Sequence, residues 1–292
     1  MIATERKRLF AGSPEEQALL ESRYPQVFRR DPLILRTFAT VAVLIVLTVL
    51  GLWSLDIEWS RVLSGINRLG QFISVMLPPS PGSTERMFVY LDALFETLAM
   101  AFLGTLLAAI LAVPFGLIAA RNIVANPVVH FVTRRFLDTI RSVDKLIWAL
   151  IWITVVNLGP FAGVLAIMTS DFGLFGKLFS EAIEGADQKA SEGIISTGGG
   201  RLARIRFGLI PGVLPVLISQ VLYQMESNSR SATILGVVGA GGIGAHFQER
   251  IRLNEWQHVA FLTLIMLIAV ALIDNVSARI RASIIGNRPT PV

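Results

Sequence analysis

The chain contains no cysteine, and only three histidines and three tyrosines among its 292 residues. Without cysteine there are no disulfides and no thiolate metal sites, and His130, His246 and His258 are too scattered for a metal-ligand spacing. No metal site is expected. The run GxxxxGK[ST] is absent, so the chain does not supply the usual ATP site itself. Paired histidines, an HExxH motif and a nucleophile elbow are also missing, which leaves a membrane-enzyme reading without a catalytic constellation. The first apolar run begins beyond residue 30, after a long charged tail with no small-residue cleavage pattern, and reads as a retained anchor.

Apolar residues are what the sequence has in excess. They make up 53% of the chain, against 16% charged, and the mean hydropathy is +0.63. One soluble core of this length does not need that much apolar surface, so the solvent is lipid. The formal charge of +5 and pI near 10.1 do not point to nucleic acid. A nucleic-acid-binding domain gathers its basic residues on one face or arm, whereas here they fall between apolar runs.

Uncharged runs of about 20 residues cross a hydrocarbon core of about 30 Å as helices. The tail 1–36 is polar and basic, with Ser13 as helix cap and Glu16 closing a capping box over a short surface helix. A first span covers 37–55. Residues 57–77, carrying Arg61 and Arg68, read as an external interfacial helix, followed by the turn Pro78-Pro79-Ser80-Pro81-Gly82. A second span covers 97–120 and tolerates Pro114. The long run 146–170 is interrupted by Asn157-Leu158-Gly159-Pro160, a turn signal that makes it a tight hairpin rather than one kinked span. The first hairpin helix is expected to start near Phe136, with Arg141, Asp144 and Lys145 in its opening turns, and the second to run from Phe161 to about Phe179. Spans over 207–225 and 257–273 complete six. With six spans, twenty of the 26 Lys and Arg residues lie on one side, where the positive-inside rule places the cytoplasm, and only Arg61, Arg68, Arg86, Arg250 and Arg252 lie outside. Both termini and the polar loop 181–206 are then cytoplasmic, in a multi-pass protein of the bacterial inner membrane.

That loop carries the most informative segment, Ser191-Glu-Gly-Ile-Ile-Ser-Thr-Gly-Gly-Gly-Arg-Leu-Ala-Arg-Ile-Arg-Phe-Gly-Leu-Ile-Pro211. It resembles the coupling loop of binding-protein-dependent ABC importer permeases, whose pattern is Glu-Ala-Ala, three residues, Gly, nine residues, then Ile-x-Leu-Pro. Anchored on Pro211, the pattern places its Gly at Gly198 and its Glu at Glu192. Gly193 and Ile194 replace the two alanines, Gly208 stands where Ile is usual, and Ile210 replaces Leu. The competing reading is an ordinary basic loop with flexible glycines. Further resemblance to the phosphonate branch of these permeases lies in Tyr223-Gln-Met-Glu-Ser-Asn-Ser-Arg230 with the glycine-rich run up to Gly244, in Leu158-Gly-Pro-Phe-Ala-Gly-Val-Leu, and in Gly176-Lys-Leu-Phe-Ser-Glu-Ala-Ile183. The family's usual Pro near the start of the third span is absent, and Arg141-Ser-Val-Asp-Lys145 stands there.

The resemblance, over about 91–280, implies an all-α polytopic fold of the type I ABC importer permease. Residues 37–56 would be an added anchor, 57–90 an external segment and 281–292 a cytoplasmic tail. It further implies a homodimer, two ATPase subunits docked on Glu192, Gly193, Gly198, Gly199, Gly200, Arg201 and Pro211, and an external substrate-binding protein. ATP and Mg would sit on the ATPase, with no cofactor on this chain and no nucleic acid partner. The substrate implied is phosphonate, with phosphite as the alternative. A different class, an ATP-independent secondary transporter, would show coupling-ion sites or inverted repeats, and no repeat is evident.

Glu226, Asn228 and Arg230 follow an uncharged run, where a charge at the bilayer centre costs about 2.5–3.5 kcal/mol. They read either as a translocation path, with Arg230 compensating an oxyanion, or as an internal ion pair of Glu226 with Arg230 at i, i+4; the two readings are compatible. Gly239-Ala-Gly241-Gly242-Ile-Gly244 matches GxGxxG formally, but no strand, soluble βαβ unit or following acid accompanies it. These glycines read as close-packing or gate positions near the outer mouth.

Overall fold

The computed structural model describes residues 32–55 and 59–285; the tail with Ser13 and Glu16 lies outside them. The chain divides into two compact units after Gly70. In the first, α1 (Pro32–Ser54) is an apolar rod whose described side chains are exposed except at Gly51. That surface suits a helix bathed in lipid. Helix α2 (Trp59–Met76) spans the boundary between the units; it is amphipathic and contains no acidic residue.

The second unit begins with α3 (Thr84–Ala119), whose cap Ser83 accepts a hydrogen bond from the Arg86 amide at 3.3 Å. The helix starts well before residue 97, because this cap and a first turn bearing Glu85 extend it out of the apolar run. Next come α4 (Pro127–Ser142), α5 (Lys145–Val156) and α6 (Pro160–Glu184). They are followed by α7 (Lys189–Ser196), α8 (Arg201–Ala240), α9 (Gly242–Arg252) and α10 (Trp256–Ile285).

Among the described residues, five helices are long and apolar enough to cross a membrane: α1, α3, α6, α8 and α10. The remaining expected span is divided. Instead of one helix from Phe136, the chain breaks at Ser142–Asp144, where Asp144 caps α5 by accepting from the Leu146 amide at 2.8 Å. A capping aspartate can do at this point what the family's proline would do, by closing one helix and starting the next. Twelve residues make only about 18 Å of helix, so α5 does not cross alone. The end of α4 continues the line: Leu137 packs on Gly176, Arg141 on Gly173, and Lys145 meets Asp171, all along α6. The hairpin at Asn157–Pro160 is present, with Asn157 at φ 69°, Gly159 at φ 142° and Pro160 opening α6.

Helix α6 is the centre of the unit. Small residues, among them Ala162, Gly163, Ala166, Ser170, Gly173 and Gly176, let its neighbours approach closely, as membrane helices require in the absence of a hydrophobic drive. At Gly104 of α3, an added methyl would lie 2.7 Å from Ile167 of α6, and at Gly116 it would lie 2.8 Å from Phe179. Phe175 and Phe179 stack at 5.3 Å and close the Gly116 end of this contact.

Candidate functional site

Three groups of the expected site residues lie along α8, at its N-terminal end, middle and C-terminal end. At the N-terminal end, α7 finishes in a paired closure: the Gly198 amide donates to Ile195 O and the Gly199 amide to Ile194 O, both at 2.9 Å. The closing residue must be left-handed, and Gly198, at φ 82°, supplies that without steric cost. Glu192, Gly193, Gly198 and Gly200 are exposed, as are Arg201 and Pro211 at the start of α8, and Gly199 is half-buried. Arg201 also donates to the Ile123 carbonyl in the α3–α4 connection. Gly208 explains one departure from the family pattern. A side chain there would begin 2.9 Å from Ser191 Cα and 3.2 Å from Ile194 Cδ1, so only glycine lets α7 lie against α8. One turn of α8, Arg204–Leu209, is widened immediately before Pro211, whose missing N–H removes a rung of the ladder.

At the middle of α8 the three expected path residues separate. Asn228 is fully buried and turns inward, while Glu226 and Arg230 pair with each other at 3.1 Å on a more open face. Arg281 of α10 lies 3.8 Å from Glu226, and Arg230 remains 51% exposed. Asn228 instead joins residues that the sequence reading did not single out as site residues. Lys145 Nζ and Asp171 Oδ1 form an ion pair at 2.8 Å, with Asp171 fully buried. Lys145 donates to Asn228 Oδ1, and Asn228 donates from Nδ2 to Asp171 and to Thr105 Oγ1. Gln224 Nε2 lies within reach of Asp171 at 3.3 Å and of Asn228 at 3.4 Å. The result is a closed polar ring linking α3, α5, α6 and α8. Its signal in the sequence was Asp171 itself, a lone carboxylate inside an apolar run, to which the same insertion cost applies as to Arg230.

At the C-terminal end, α8 breaks at Gly239 (φ 116°) and Gly241 (φ 82°) and the chain restarts as α9. The hairpin tip sits on this bend. The Gly159 amide donates to Gly239 O at 3.1 Å, Leu158 covers Gly239, and a methyl on Gly241 would meet Pro160 at 3.3 Å. Gly242 and Gly244 are buried, against α3 and α8 respectively, and the Ile243 amide donates to Thr97 Oγ1 at 2.8 Å. In the last turn of α9, Arg250 donates to Glu255 of the α9–α10 connection at 2.5 Å. This holds Glu255 below the ordinary carboxylate range, chiefly through that hydrogen bond.

Long apolar helices around a buried ionic ring, with a short helix displayed on a polar loop, are the architecture of a polytopic membrane protein. The chain belongs to the family of binding-protein-dependent transport system inner membrane components, whose model matches residues 112–285. It is similar to HtxC of Stutzerimonas stutzeri, named as a phosphite transport system permease protein, at 38% identity over 94% of each chain. It is also similar to PhnE2 of Escherichia coli K12, named as a cryptic phosphonate transport system permease protein, at 43% identity over 40% of this chain and 97% of that one. Among solved structures, an inward-facing MetNI methionine ABC transporter matches with a TM-score of 0.62 at 19% identity, over 69% of this chain and 99% of that one. The fold is that of a type I ABC importer permease, and α1 and α2 fall outside the part matched by the family model.

Proposed function

We propose that this chain forms the membrane path of an ATP-driven importer for phosphonate or a related small phosphorus oxyanion such as phosphite. The relatives' names support the substrate class, and the half-open Glu226–Arg230 face of α8 offers a guanidinium for the passing charge. Two copies of the chain form the path, both termini face the cytoplasm, and an external binding protein delivers the substrate. Two ATPase subunits, holding ATP and Mg, dock on α7 and the glycines after it. The observation that carries this reading is the exposed Glu192 on a short helix clamped to α8 through Gly208, because a push on α7 then passes directly into a membrane-crossing helix. Copurification with a candidate ATPase tests it. The ATPase is expected to bind, and Glu192→Ala to lower substrate-stimulated ATP turnover at least fivefold. Failure to copurify, or turnover indifferent to Glu192, contradicts it.

A further inference from the structure

The ring in the membrane has an unused neighbour. Gln220 Oε1 is buried and accepts no hydrogen bond, although it lies one turn below Gln224 and two turns below Asn228 on the same side of α8. Residues 220, 224 and 228 therefore form a ladder of amides at four-residue spacing, and only the upper two rungs touch Lys145 and Asp171. Each amide can accept from the ammonium and donate to the carboxylate, so any adjacent pair of rungs can satisfy both charges.

We propose that α8 ratchets by one turn against the α5–α6 hairpin during transport, with the Lys145–Asp171 pair moving from Asn228 and Gln224 to Gln224 and Gln220. Gln220 is thus a positioning residue for the second state. The shift is about 6 Å, four residues at about 1.5 Å each, directed so that α8 moves outward relative to the hairpin. Three further observations support it. A buried ion pair is poor static glue, since apolar residues of the same shape often serve as well. Lys145 stands in the first turn of α5, where the helix dipole disfavours a cation, so its placement calls for another reason. The places that must yield are built to yield: α4 and α5 are separate helices joined at Ser142–Asp144, and α8 ends in the Gly239–Gly241 bend against the hairpin tip. A one-turn step between two packings is an established form of transition, because packed helices settle in discrete registers.

The inference rests on ATP-driven coupling through α7. The test uses the full complex of permease, ATPase and binding protein in proteoliposomes, with uptake of phosphite and of methylphosphonate as readouts. Gln220→Leu leaves the present ring intact and removes an orphaned amide. It is expected to preserve assembly and thermal stability while lowering uptake tenfold or more, and Gln220→Asn, which keeps an amide, is expected to restore at least half. Unchanged uptake in Gln220→Leu overturns the ratchet, as does a loss that Gln220→Asn does not relieve. Should Gln220→Leu fail to assemble, spin labels decide. The chain has no native cysteine, so cysteines at the exposed Ile151 of α5 and Val216 of α8 take the labels alone. Their separation is expected to change by several ångströms between nucleotide-free and ATP-vanadate-trapped complexes, and an unchanged separation overturns the proposal. Absence of ATP-driven uptake by the wild-type complex contradicts the functional reading instead, and the label distances still report the register.

Discussion

Two charged clusters sit within one turn of each other on α8 and are built on opposite principles. Around Asn228 every charge is answered inside the chain, with Asp171 fully buried and Lys145 19% exposed. Around Arg230 the answer is partial, since Glu226 is 12% exposed and pairs with both Arg230 and Arg281 while half of Arg230 stays open. A single helix can therefore present a sealed polar contact to its own bundle and an unsealed one to its surroundings. Burial separates the two roles, although by residue type and depth the clusters look alike.

The largest effect expected from breaking this contrast is at Asp171. Asp171→Ala leaves Lys145 in the membrane without its carboxylate, a loss of about 3–5 kcal/mol when one member of a buried pair is removed. The detergent-solubilised variant should unfold at clearly lower temperature than the wild type, and Lys145→Met combined with Asp171→Leu should recover most of the difference. A single variant as stable as the wild type would show that the ring is not sealed. Arg230→Gln should behave in the opposite way. Arg230 is half exposed, and Glu226, although only 12% exposed, keeps Arg281 at 3.8 Å when Arg230 is replaced, so the thermal midpoint should move far less than in Asp171→Ala while phosphonate or phosphite uptake falls tenfold or more. Unchanged uptake would remove Arg230 from the path.

Much of this was legible in the sequence. The Asn157–Pro160 hairpin follows from turn chemistry that overrides an uncharged run, and both the long apolar helices and the α7–Gly198 closure follow from local rules. What escaped depended on partners far apart in the chain. Whether Asn228 turns inward or joins Glu226 and Arg230 is decided by Thr105, Lys145 and Asp171, which lie 57 to 123 residues away. The break at Ser142–Asp144 was hidden because Asp144 and Lys145 read as charges in the opening turns of one helix, whereas Asp144 caps a new one. Gly208 looked like a departure from a pattern, and only the approach of Ser191 shows that a side chain has no room there.

The smallest effect belongs to a third kind of charge, the partly exposed Arg250–Glu255 pair at the α9–α10 connection. Arg250 holds Glu255 deprotonated below the ordinary glutamate value of 4.5, and Glu255 is about one-third exposed. A carboxylate whose pKa is depressed on folding contributes stability that is fully present above the unfolded value and is lost as the pH falls through the folded one. The wild type should therefore lose thermal stability on acidification from about pH 5 to about pH 3 to a slightly greater extent than Glu255→Gln, and the two should keep a constant offset above about pH 7, where His258, 4.0 Å from Glu255, is neutral. The term is minor because water screens the pair. Because Glu255 lies in the connection between α9 and α10, the change should appear as faster backbone amide exchange there, with the Lys145–Asp171 ring and its amides unaffected. Exchange that quickens equally in both places would mean that the α9–α10 connection and the ring open as one unit, and that the separation between sealed and unsealed charges does not extend to that connection.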